Sequence, residues 1–164
     1  MSHLYGTALA FARRGTSDHE ATVTTPLRET EHRILIVDDE QPVRDAIREY
    51  LTAYGYGVDG AQELEEAEAL LATTDYSLML VDIRLTGLHG REGLELLRFA
   101  RRHCPEIRLI VMTAHASDGL ELDARRRGAD AFLEKPLPLS RLLVEVHKLL
   151  RGTDSLVNLW GRDG

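Results

Sequence analysis

Asp38 and Asp39 follow the apolar run Ile34 to Val37, Asp82 follows Leu78 to Val81, Thr113 follows Leu109 to Met112, and Lys135 stands just beyond Ala131 to Leu133. Carboxylate oxygens are hard donors that suit Mg²⁺ better than softer metals do. An aspartate is also a nucleophile that can form an acyl phosphate. An ammonium and a hydroxyl can hold the oxygens of the group being transferred. Brought together, Asp38, Asp39, Asp82, Thr113 and Lys135 have the chemistry of a phosphoryl acceptor working with a divalent cation. Bare carboxylates about 4 Å apart repel by roughly 4 kcal/mol per pair at an effective dielectric of about 20, so the cation and Lys135 are needed to offset the charge.

The elements that carry these residues can be read from the spacing of apolar positions. The runs are short and rich in Val, Ile and Leu, as parallel strands buried on both faces are. Open parallel sheets gather their working residues at the carboxyl ends of the strands. Val43, Ala46, Ile47, Tyr50, Leu51 and Tyr54 trace one face of a helix that begins near Asp39 and Pro42 and ends at Gly55. A weak strand near Val58 precedes a helix from Gln62 to Ala72 with Leu64, Ala67, Leu70 and Leu71 inward and its glutamates in solvent. Gly87, Gly90 and Gly93 place a loop and a helix start behind Asp82, and Leu94, Leu97 and Ala100 carry that helix to His103. The segment Ser117 to Arg127 has few apolar residues, chiefly Leu120, Leu122 and Ala124. A helix that buries so little is held weakly and can shift. Phe132 and Leu133 mark a fifth strand, and Leu139, Leu142, Leu143, Val146, Leu149 and Leu150 keep helical spacing until Gly152. Five strands alternating with five helices predict a three-layer α/β sandwich with right-handed crossovers.

Composition narrows the function. The chain has 164 residues, enough for one domain, and a formal charge of -7. That balance argues against holding nucleic acid through a basic face, and the run Arg125 to Arg127 reads as the solvated end of a helix. The single cysteine, Cys104, excludes an intramolecular disulfide. No stretch approaches the roughly 20 apolar residues of a membrane span, and Arg13 and Arg14 follow the apolar part of the amino end, the reverse of a secretory signal. A cytoplasmic protein is expected. Residues 1–31 read as a disordered arm and residues 152–164 as a tail, with Leu156, Val157, Leu159 and Trp160 able to pack on the domain or on a neighbour. His3, His19, His32, His89, His103 and His147 show no metal-like grouping and are expected on the surface.

The segments Ile36-Val37-Asp38-Asp39-Glu40, Leu80-Val81-Asp82-Ile83-Arg84, Val111-Met112-Thr113-Ala114 and Glu134-Lys135-Pro136 resemble, in order and separation, the receiver domain of two-component response regulators. Each segment alone is a weak signal; the four in order are a strong one. The resemblance implies a flavodoxin-like doubly wound domain over residues 32–151, with five parallel strands in the order 2-1-3-4-5 and five flanking helices. It implies that Asp82 is the phosphoacceptor, charged from the phosphohistidine of a sensor histidine kinase or phosphotransfer protein. Asp39 would bind Mg²⁺ directly and Asp38 more through water, with Asp82 and the backbone carbonyl of Arg84 completing the metal set. Lys135 would bind the phosphoryl group, and its bond to Pro136 is often cis in the family. Thr113 and Phe132 would be a switch pair whose movement changes the surface of the fourth helix, fifth strand and fifth helix for a downstream protein partner or a relay. No output domain follows Arg151, so a stand-alone receiver without direct nucleic-acid binding is expected, and a homodimer is open. Two departures from the family pattern matter. Thr86 stands where the family often has proline, which implies a more flexible loop, and His115, two residues after the switch threonine, stands where phosphate lifetime is tuned.

Taken singly, these residues have plain explanations. Asp38 or Asp39 would cap a helix, Asp82 would be a turn residue, and Lys135 would be a surface lysine. Capping accounts for one Asp and leaves Asp82 and Lys135 unexplained. A competing enzyme reading is a haloacid-dehalogenase-type phosphatase, since Asp82-Ile83-Arg84-Leu85-Thr86 approaches its Asp-x-Asp-x-Thr pattern. Arg84 replaces the second Asp and with it the general acid. A third reading is a receiver-like domain that binds partners without phosphorylation.

Overall fold

A computed structural model describes residues 32–84 and 92–152. The strands are β1 (Arg33–Val37), β2 (Gly57–Ala61), β3 (Leu78–Asp82), β4 (Arg108–Thr113) and β5 (Ala131–Glu134). Between and after them run α1 (Gln41–Ala53), α2 (Leu64–Thr73), α3 (Glu92–His103), α4 (Asp118–Arg126) and α5 (Leu139–Arg151). All neighbouring strands pair in parallel, in the order β2-β1-β3-β4-β5, as the resemblance implied. The expected arm, the turn at Gly87 and Gly90, and the tail from Thr153 lie outside the described residues.

Successive strand residues point to opposite faces, so the apolar runs fill two cores at once. Leu35, Val37, Met79, Val81, Leu109 and Val111 pack with Leu71, Leu94 and Leu97 from α2 and α3. Ile34, Ile36, Leu78, Leu80, Ile110 and Met112 pack with Ile47, Leu51, Leu142, Leu143 and Val146 from α1 and α5. Each such side chain removed from water contributes about 1.5–3 kcal/mol, which pins the central strands in one register. In that register Val37 lies opposite Val81, Asp82 opposite Met112 and Thr113 opposite Glu134, so the carboxyl ends of β1, β3, β4 and β5 finish level.

Two local expectations are corrected. Tyr54, in period with the apolar face of α1, is 44% exposed. It is the C-cap, where the backbone leaves helical geometry and the 3.6-residue period no longer applies. Gly55 then turns with φ +89, and Tyr56 takes the core position at 1% exposure. As its sparse apolar content predicts, α4 buries little: Ala124 is its one fully buried residue, and Leu122 is 51% exposed. His147, expected on the surface, is 7% exposed. It shares the apolar face of α5 with Leu143 and Val146, and its Nδ1 lies 2.8 Å from the hydroxyl of buried Tyr56.

Candidate functional site

β1 ends where Asp38 begins, and the backbone N–H of Asp38 still bonds to the Ala61 carbonyl on β2. The Asp38 side chain is therefore aimed along the sheet edge, fully buried. Its Oδ1 accepts from the N–H of Glu40 at 2.9 Å, tightening the turn into α1, and its backbone carbonyl accepts from the Arg44 guanidinium. Glu40, not either Asp, is the N-cap of α1, and its side chain makes no capping bond. Pro42 lies in the first turn, where a missing N–H costs nothing. The plain capping explanation for Asp38 and Asp39 thus fails, and both carboxylates are left for the site.

Asp82 is the last residue of β3 and 6% exposed. Its Oδ1 accepts from the Arg84 N–H at 3.0 Å. Gly93, at the start of α3, packs directly beneath it: a Cβ there would stand 2.4 Å from the Asp82 carbonyl oxygen and 2.6 Å from Ile83 Cα. Lys135 is positioned by β5, because its N–H continues the ladder to the Thr113 carbonyl at 2.7 Å. Its bond to Pro136 is cis, as the resemblance implied. From there the ammonium reaches Oδ2 of Asp38 at 2.6 Å and Oδ2 of Asp82 at 2.9 Å. Burial pulls the Lys135 pKa down, but its hydrogen bonds to Asp38 and Asp82 and their charges outweigh that, leaving it above the ordinary value. The ammonium is held charged between carboxylates from two strands.

Thr113, 1% exposed, ends β4, and its Oγ1 accepts from the His115 N–H at 3.2 Å. Phe132 on β5 is half-buried against the core beneath α4. The structure thus brings Asp38, Asp39, Asp82 and Lys135 together, with Thr113 on the strand between those of Asp82 and Lys135.

One acid was absent from the sequence expectation. Glu40 joins Asp38, Asp39 and Asp82 in a group in which one carboxylate oxygen from each lies within 4.8 Å of the others. The signal was present in the acidic triplet, but a residue at a helix start is hard to place on one side or the other from sequence alone. Among the described residues, the carboxylates of Asp39 and Glu40 have no ion-pair or hydrogen-bond partner, and Lys135 is the sole cation paired with the group. Four close carboxylates against one ammonium make a net negative, all-oxygen donor set, which fits a hard divalent cation. Among the described residues, no helix is long and apolar enough to cross a membrane.

A five-stranded parallel sheet in this order, with acids and a lysine converging at its carboxyl edge, is the architecture of a receiver-type doubly wound domain. Residues 34–147 match the response regulator receiver domain, and the chain belongs to that family. It is 36% identical over 121 residues to the response regulator MprA of Mycolicibacterium vanbaalenii, a match covering 74% of this chain and 51% of the relative. The chain therefore spans about half the length of the curated relatives it matches. A CheY-like receiver domain protein from Methanospirillum hungatei superposes with TM-score 0.70 at 32% identity, covering 76% of this chain and 98% of that one. A response regulator from Burkholderia pseudomallei, solved with a phosphorylated aspartic acid, calcium ion and citrate, superposes with TM-score 0.66 at 26% identity, over 79% of this chain and 72% of that one.

Proposed function

We propose that Asp82 accepts a phosphoryl group from a histidine kinase or phosphotransfer protein and that the loaded domain signals to a protein partner or relay through α4, β5 and α5. A carboxylate oxygen of Asp82 forms the new O–P bond as the donor's N–P bond breaks, and the electron pair of that bond stays with the departing imidazole. Asp38, Asp39, Asp82 and the Arg84 carbonyl would hold Mg²⁺, with Glu40 added to the set, and the ion would supply charge neutralisation for the phosphoryl oxygens. Lys135 holds Asp82 in place before transfer and pairs with the phosphoryl group afterwards. Thr113 gives its hydroxyl hydrogen to a phosphoryl oxygen, a bond that exists only in the loaded state and so biases the conformational equilibrium. Phe132 moves with it, and α4, anchored by little buried surface, is the element that responds.

The observation that carries this reading is the Lys135 ammonium bonded at once to Asp38 and Asp82, carboxylates 44 positions apart that only this fold unites. The phosphatase reading lacks a general acid, since Arg84 stands two residues beyond Asp82 and is exposed. The test is incubation with Mg²⁺ and a small phosphodonor such as acetyl phosphate, read by intact mass. One added phosphoryl group per chain, absent from Asp82→Asn, is the expected result. Continuous turnover of a phosphoester would favour the phosphatase, and an unchanged mass would favour a domain that binds partners without phosphorylation.

A further inference from the structure

Away from the acidic edge, the carboxyl-terminal ends of α3 and α4 border a shallow, open concavity of about 300 Å³ lined, among the described residues, by Arg98, Arg101, Arg102, Arg126 and Arg127. Arg98, Arg101 and Arg102 are spaced i, i+3, i+4, so they share one face of α3. Gly93 lies against Asp82, and Arg98 and Arg102 follow it along the helix by about 7 and 13 Å at 1.5 Å per residue. The cleft shares no lining residue with the acidic group around Asp82.

Arginines in the last turn of a helix complement its dipole, which accounts for Arg101, Arg102 and Arg126. It does not account for Arg98, or for the gathering of all five, with Arg127 from the C-cap of α4, around one hollow. Arg101 is fixed in place: its guanidinium donates to the carbonyls of Pro105, Ile107 and Gly128 at 2.7, 3.0 and 2.7 Å, with Asp130 at 3.5 Å. Gly128 makes room for it, having φ +101 and a position where a Cβ would stand 2.6 Å from Arg101 Nε. Arg127 is paired with Asp123 at 2.9 Å. Arg98, Arg102 and Arg126 have no ion pair or hydrogen bond among the described residues, although the chain carries 27 acidic residues. Their guanidinium forks are left to match an outside group, and planar forks match phosphate oxygens two at a time.

We propose that this cleft binds a short chain of condensed phosphate groups. Several adjacent anionic groups answer several converging cations, where a single monovalent anion does not. All the described lining side chains are arginines, with no aromatic ring to stack a base, so the phosphate chain itself is the ligand. The overall charge of -7 keeps longer polyanions such as nucleic acid at a distance while the local cluster attracts a small one.

The test is calorimetric titration of the full chain with inorganic triphosphate at low salt in EDTA, so that no metal draws phosphate to the acidic edge. Saturable binding is expected, together with at least a tenfold loss in the triple variant Arg98→Ala, Arg102→Ala, Arg126→Ala, whose side chains hold nothing else together. ATP binding no tighter than triphosphate supports the assignment, whereas binding of ATP alone overturns it. Equal affinity in the triple variant, or no binding by the native chain at millimolar triphosphate, also overturns it. Amide and Arg Nε chemical shifts of the native chain give a reading that does not depend on the variant folding: shifts confined to α3 and α4 are expected, and shifts elsewhere sink the proposal.

Discussion

Lys135 Nζ lies 2.9 Å from Oδ2 of Asp82, although their strands are separated in the sheet by β4. The same ammonium is 2.6 Å from Asp38, which is fully buried. It therefore holds together a cluster that charge repulsion would otherwise open.

Lys135→Ala should act on stability and on chemistry. Removing one partner of a buried pair costs about 3–5 kcal/mol because the remaining charge is stranded. Urea unfolding in EDTA should show a loss of that order, reduced when Mg²⁺ is added. Phosphorylation by acetyl phosphate should slow by about a hundredfold, the usual effect of losing one charge-stabilising donor. Unchanged unfolding in EDTA would show that Asp38 has another partner.

Gly93→Ala should disturb the site from below. The new Cβ would meet the Asp82 carbonyl oxygen at 2.4 Å and Ile83 Cα at 2.6 Å, both backbone atoms with little freedom to move. Overpacking of this kind costs about 1–3 kcal/mol, more than the ~1 kcal/mol of helix propensity gained. Melting temperature and phosphorylation rate should fall together. Gly119→Ala on α4 is the control, since nothing lies within 4 Å of its Cβ position and it should be neutral or mildly stabilising.

Thr113→Val should separate loading from response. The Thr113 carbonyl still accepts from Lys135 N–H, so Lys135 keeps its place, but the hydroxyl and the bond it accepts from the His115 N–H are gone. Mass measurement should find Asp82 still phosphorylated, while amide chemical shifts in α4 and β5 should no longer change on loading. A full shift response in this variant would exclude Thr113 as the switch.

The site was legible where two signals coincide. Asp38, Asp82, Thr113 and Lys135 each combine an apolar strand with a reactive group at its carboxyl end, and a level sheet edge makes that combination converge. Glu40 lacks the strand signal, and its part in the acidic group depends on the local turn at Asp38. Tyr56 and His147 were illegible for another reason. They bury polar groups by bonding to each other across 91 positions, and nothing in the period of either segment encodes such a pairing. The arginine cleft is also tertiary, because Arg98 to Arg102 and Arg126 to Arg127 become one surface only when the end of α3 is tied by Arg101 to Gly128 in the turn after α4.

That Tyr56–His147 pair leads to a pH dependence. The rings meet edge to face at 5.9 Å, and the Arg151 guanidinium lies over Tyr56 at 5.8 Å. Burial, aided by the nearby positive charge of Arg151, holds the His147 pKa below the ordinary 6.5. The unfolded chain then binds a proton more readily than the folded one, so the contribution of His147 is intact above about pH 6.5 and is lost as pH falls through the folded value. Unfolding free energy measured by urea between pH 7 and 5.5 should decline by up to ~1.4 kcal/mol per pH unit from this group. His147→Gln, which can still bond to the Tyr56 hydroxyl but does not titrate, should flatten that part of the curve. Identical slopes in the two proteins would mean that His147 takes up its proton without disturbing the contact between α5 and Tyr56.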